Sequence, residues 1–77
     1  MIREWLTVNV PEGSTHMAVV CDTFDYEDYP VYVKKGEDAR DKLAKYDKGE
    51  NMQQLMEVYN LKMDIEKQLT QTRAFNY

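Results

Sequence analysis

The sequence predicts an α+β fold: a small three-stranded antiparallel sheet followed by two helices (β-β-β-α-α), the last helix long. Three observations predict it. Residues 2–10 alternate with period two. Residues 17–24 form a near-continuous apolar run with β-branched content. Beyond Gly36 the apolar spacing changes to three and four, the period of a helix.

The first strand is expected over 2–10, with Leu6, Val8 and Val10 on one face and Trp5, Thr7 and Asn9 on the other. Pro11-Glu12-Gly13-Ser14-Thr15 ends it as a turn. Residues 17–24, Met-Ala-Val-Val-Cys-Asp-Thr-Phe, read as a central strand buried on much of both faces. Residues 25–30 form a loop, and Val31-Tyr32-Val33 a short third strand, with Pro30 tolerated at its start or on a sheet edge. Short links between successive strands favour an antiparallel meander.

Gly36-Glu37-Asp38 opens a helix over 37–48, its first-turn acids favoured by the macrodipole. Ala39, Leu43 and Tyr46 form its apolar stripe, and Lys48-Gly49 its stop. Asn51 reads as an N-cap with Gln54 as its reciprocal partner. A second helix is expected from about Met52 to Thr70 or Thr72. Met52, Leu55, Met56, Tyr59 and Met63 share one stripe; Val58, Leu61, Ile65 and Leu69 share another. Together they make an apolar arc of roughly 220°, wider than one small sheet covers. Such a helix is about 30 Å long. A second copy is the simplest cover for Val58, Leu61, Ile65 and Leu69, so a homo-oligomer, dimer or higher, is expected.

The chain has 77 residues, net charge −4, one Cys and one His. That length allows one domain, 1–77. A core this small supplies only about 3–5 kcal/mol unaided. One Cys forbids an internal disulfide, and one Cys with one His cannot make a structural zinc site. Oligomerisation is the stabilising device that remains. An unpaired Cys fits a reducing compartment, so the cytoplasm is the expected location. No signal peptide, CaaX box or myristoylation signal is expected, and no run reaches the ~18 apolar residues of a membrane span.

Charge is unevenly spread. Residues 1–33 hold six acids and one base, a balance of −5, and residues 34–77 hold eight acids and nine bases, a balance of +1. The lysines of 34–48 alternate with Glu37, Asp38, Asp41 and Asp47. Direct nucleic-acid binding, which needs clustered cations, is not expected. Nor is a membrane partner.

Residues 21–32 interleave acids with aromatics. Asp22, Asp25, Glu27 and Asp28 would steer a basic partner, and Tyr26, Tyr29 and Tyr32 would supply rigid contact area. The plainer reading makes this a solvated hairpin loop whose aromatics are core residues. The acids lack the spacing and the glycine of a calcium loop. His16 stands alone at a turn, and Cys21 alternates with Met17 and Val19 as a small hydrophobe. No phosphate-loop, dinucleotide, zincin or C-x-x-C motif occurs. No nucleophile–base–orienter set can be assembled, so no enzyme, cofactor or metal is expected.

In length, acidity, aromatic richness and lack of a catalytic signature, the chain resembles small accessory proteins of bacteriophages, many of which bind and inhibit a host protein. The resemblance is one of character over the whole chain and gives no residue a role. It implies an acidic interaction module that inhibits a host enzyme or defence system by occluding a basic surface. The alternative is an oligomeric protein that sequesters a nucleotide or signalling metabolite, with Lys34, Lys35 and Arg73 as anion contacts.

Overall fold

A computed structural model describes residues 2–8, 10–47 and 52–77. The elements run α1 (Ile2–Thr7), β1 (Ser14–Asp22), β2 (Glu27–Lys34), α2 (Ala39–Asp47), β3 (Gln53–Asn60) and α3 (Ile65–Leu69). The fold is mixed α+β with a three-stranded antiparallel sheet in the order β2-β1-β3. The expected β-β-β-α-α order is overturned. The first segment is a helix, a helix separates the second and third strands, and residues 53–60 are a strand, so there is no long last helix among the described residues. The expected Lys48-Gly49 stop and the Asn51 cap lie outside the described residues, as does Asn9.

β1 lies at the centre because both its faces are apolar. Ala18 and Val20 join Val33, Ala39, Leu43, Leu55 and Val58 in one core. Met17 and Val19 join Leu6, Tyr59 and Ala74 in a second. Successive strand residues point to opposite faces, so a run without polar interruptions, Met17 to Val20, supplies two cores at once. α2 covers the first face with Ala39, Leu43 and Tyr46, the stripe legible in its sequence. α1 and α3 cover the second with Ile2, Trp5, Leu6, Ile65 and Leu69.

Residues 53–60 carry helical apolar spacing in a strand for a physical reason. The β1–β3 register shifts between Val19 and Val20: Val19 faces Glu57 while Val20 faces Leu55. One extra residue, Met56, is thus inserted as a β-bulge. The bulge moves the buried positions of the first core from a spacing of two to a spacing of three, Leu55 and Val58. Met56 and Tyr59 contact the second core at the same spacing. A bulged strand buried on both faces therefore imitates the apolar spacing of a helix. The oversized arc was the imprint of two sheet faces.

The start of the chain fails for the converse reason. Ile2, Trp5 and Leu6, spaced i, i+3, i+4, dock on the second core as one side of a helix. Val8, expected to point inward, is exposed.

The outer edge of β3 is covered by the end of the chain. Val58 N–H donates to the Ala74 carbonyl (2.7 Å), and Asn76 N–H donates to the Val58 carbonyl (3.0 Å). At the next outward position the Gln68 carboxamide takes over. Its Oε1 accepts from Asn60 N–H (2.7 Å), and its Nε2 donates to the Asn60 carbonyl (2.9 Å). Ala74 is buried in the second core, while Tyr77 packs on the first. The tail thus wraps around the sheet edge from one face to the other. Tyr77 is held there under the Arg40 guanidinium, 4.5 Å from ring centroid to Cζ. The His16 ring joins the two ends of this arrangement, with Nε2 3.1 Å from the Tyr77 main-chain oxygen and Nδ1 2.8 Å from the Thr15 hydroxyl.

Candidate functional site

The acidic stretch is the tip of the β1–β2 hairpin. β1 ends at Asp22 and β2 begins at Glu27, with Thr23–Tyr26 as the connecting turn. Asp22 builds that turn twice over. Its carboxylate accepts from Phe24 N–H (2.9 Å), and its carbonyl accepts from Tyr26 N–H (2.6 Å). An aspartate at this position competes well for local backbone donors, which is why the strand stops there. Asp22 is therefore half-buried and structural, while Asp25, Tyr26, Glu27 and Asp28 are exposed together.

The remaining tyrosines of the expected contact set do not share that surface. Tyr29 and Tyr32 are half-buried and pack on opposite faces of β2, against the first and second cores. Tyr29 Oη accepts from Gln53 Nε2, and the Tyr32 hydroxyl donates to the Trp5 carbonyl (2.7 Å). Burial pushes both phenols above their usual range. These two rings hold the hairpin to the body of the protein.

Two residues missed in the sequence complete the tip. Phe24, expected at the end of a strand, is 71% exposed. Met52, expected on a helix stripe, is 57% exposed. Thr23 N–H donates to the Met52 carbonyl (2.8 Å), and Asp22 pairs with Gln53, so Met52 lies at the same end of the sheet as the turn. Tyr26 is 81% exposed. The acids on either side of Phe24 were the available signal that it leaves the core. Met52 carried no comparable signal.

Other expected positions are dispersed. Val58 is fully buried in its own chain's first core, and Leu61, Ile65 and Leu69 pack on the second. The helix that was to present them to a second copy does not form. Lys34 and Lys35 are exposed where β2 ends, whereas Arg73 precedes the tail residues that bridge to the outer edge of β3, with its guanidinium near the Phe75 ring. The three cations thus lie on opposite edges of the sheet. Cys21 is half-buried opposite Asp28. Burial, then the Asp28 and Asp22 carboxylates, push its thiol up, which favours the unreactive form. Among the described residues no helix is long and apolar enough to cross a membrane.

Comparison of the chain with protein-family models, with curated proteins and with solved structures gives no match.

Proposed function

We propose that this chain is an acidic protein–protein interaction module that occludes a basic surface of its partner with the tip of the β1–β2 hairpin. The observation that supports it is the exposure of Phe24 and Tyr26 among Asp25, Glu27 and Asp28. Exposed large rings gain nothing in the free protein. On docking, an aromatic ring buries a large area at low conformational cost, and such rings are favoured at the centres of interfaces. The surrounding carboxylates add long-range steering toward a positive surface and exclude acidic partners. An inhibitor of this design works by covering a surface that a polyanionic substrate would use, without chemistry of its own.

The test is capture from bacterial lysate by the tagged protein at low and high salt, alongside the triple variant Asp25→Lys, Glu27→Lys, Asp28→Lys. A partner held by the wild type, lost by the variant and weakened by salt is the expected result. Equal capture by both proteins would overturn the proposal.

A further inference from the structure

Of the three exposed side chains Phe24, Tyr26 and Met52, two share more than exposure. Tyr26 and Met52 both have left-handed backbones, φ 57° and 59°. For residues with a Cβ this region is disfavoured, and glycine is the natural occupant. Gly13 and Gly36 fill two other turns at φ 83° and 94°, so the chain uses glycine where only a turn is needed. At the hairpin end it instead places large apolar side chains on strained backbones and leaves them 81% and 57% exposed. Neither side chain belongs to either core. The free fold thus carries the cost of both residues without using their side chains.

Resting on the interaction reading above, we infer that Phe24, Tyr26 and Met52 are a three-point apolar anchor, and that its occupant is a protein segment carrying apolar side chains flanked by lysine or arginine. The apolar part follows from the three side chains. The basic flanks follow from Asp25, Glu27 and Asp28, exposed beside them with no base between residues 22 and 28. This occupant differs from a purely cationic surface. Steering by the acids acts on association, whereas the anchor acts on dissociation. A β-strand partner added along β2 is a poorer fit. Pro30 lacks a donor in that edge strand, and Lys42 Nζ already occupies the Tyr32 carbonyl (2.9 Å).

The experiment is selection of a displayed library of random 12-residue peptides on the intact immobilised protein. Binding of the enriched peptides is then measured to wild type, to Tyr26→Gly, Met52→Gly and Phe24→Ser, and to the triple lysine variant. Expected are peptides with apolar residues between basic ones, weakened at least tenfold by each anchor substitution through faster dissociation. Their salt dependence stays unchanged in the anchor variants and flattens in the lysine variant. Denaturation midpoints of the two glycine variants should equal or exceed that of wild type. Peptides indifferent to all three anchor substitutions, or glycine variants that lower the midpoint, would overturn the anchor while leaving the basic-surface reading intact. Peptides that bind the lysine variant as well as wild type would overturn that reading instead, and an empty selection would overturn both.

Discussion

Replacing Gln68 by leucine should destabilise the protein by about 2 kcal/mol, because this side chain substitutes for a missing strand. Gln68 is 1% exposed. Its orientation is set by its partners: Asn60 N–H can only donate, so the atom facing it at 2.7 Å is Oε1. Nε2 then faces the carbonyls of Asn60, Asp64 and Met63 at 2.9, 3.2 and 3.5 Å. Leucine would strand Asn60 N–H, costing about 1–3 kcal/mol. The Asn60 carbonyl keeps the Met63 N–H (3.1 Å) and loses one bond, about 0.5–1.5 kcal/mol. The added apolar burial offsets roughly 1 kcal/mol. A chain this long has about 4–12 kcal/mol of stability in all. With a urea dependence on the order of 1 kcal/mol per molar, the midpoint should fall by about 2 M. Trp5, half-buried against the second core, reports the transition by fluorescence. Gln68→Glu sharpens the test. An ionised carboxylate would set an oxygen against three carbonyl oxygens, so its folded-state pKa is raised. Its neutral form is then the one the fold tolerates, and the loss should grow as pH rises above about 4.3, the unfolded value. A leucine variant within about 0.5 M of wild type, or a glutamate variant whose deficit ignores pH, would refute the reasoning.

Leu43→Ala should cost about 2–5 kcal/mol in the same assay, since Leu43 is fully buried between α2 and the sheet. Glu37→Gln should reduce the acid sensitivity of folding. Lys34 N–H (2.8 Å) and then Lys42 Nζ hold the Glu37 carboxyl below its usual range, so its contribution is present above the unfolded pKa and lost as pH falls through the folded one. Stability measured from pH 6 to pH 3 should therefore fall less steeply in the variant. At alkaline pH the sign reverses for Tyr59, whose hydroxyl donates to Glu57 (2.6 Å). Burial, then that carboxylate, raises its pKa, so stability is complete below about pH 10 and declines above it as the unfolded phenol ionises. Tyr59→Phe should flatten that alkaline decline, and an unchanged slope would show that the phenol is not the titrating group.

Local pattern was sufficient where one periodicity had no rival. β1 was legible because an uninterrupted apolar run between polar turns can serve only as a strand with two buried faces or as a buried helix, and its length and β-branching decided for the strand. α2 was legible because Ala39, Leu43 and Tyr46 form one narrow stripe on an otherwise charged segment. The hairpin tip was legible as an acidic surface around Asp25, Tyr26, Glu27 and Asp28. Tyr29 and Tyr32 were not separable from it, because composition does not show which way an edge-strand residue points.

Residues 2–8 and 53–60 each satisfy two periodicities, and local sequence has no means of choosing between them. Ile2, Trp5 and Leu6 make a helical side, while Leu6 and Val8 continue an alternation. The choice fell to the sheet, whose second face needs a cover that a helix supplies. At 53–60 the bulge opposite Val19 and Val20 turned strand spacing into helical spacing. A bulge is a property of a strand pair, so it is invisible in either strand alone. The sequence by itself determined the sheet's central strand, the helix over its first face and the acidic end. Tertiary structure decided which ambiguous segment became strand or helix, because hydrogen bonding to β1 and burial on two faces are terms that only a folded neighbour supplies.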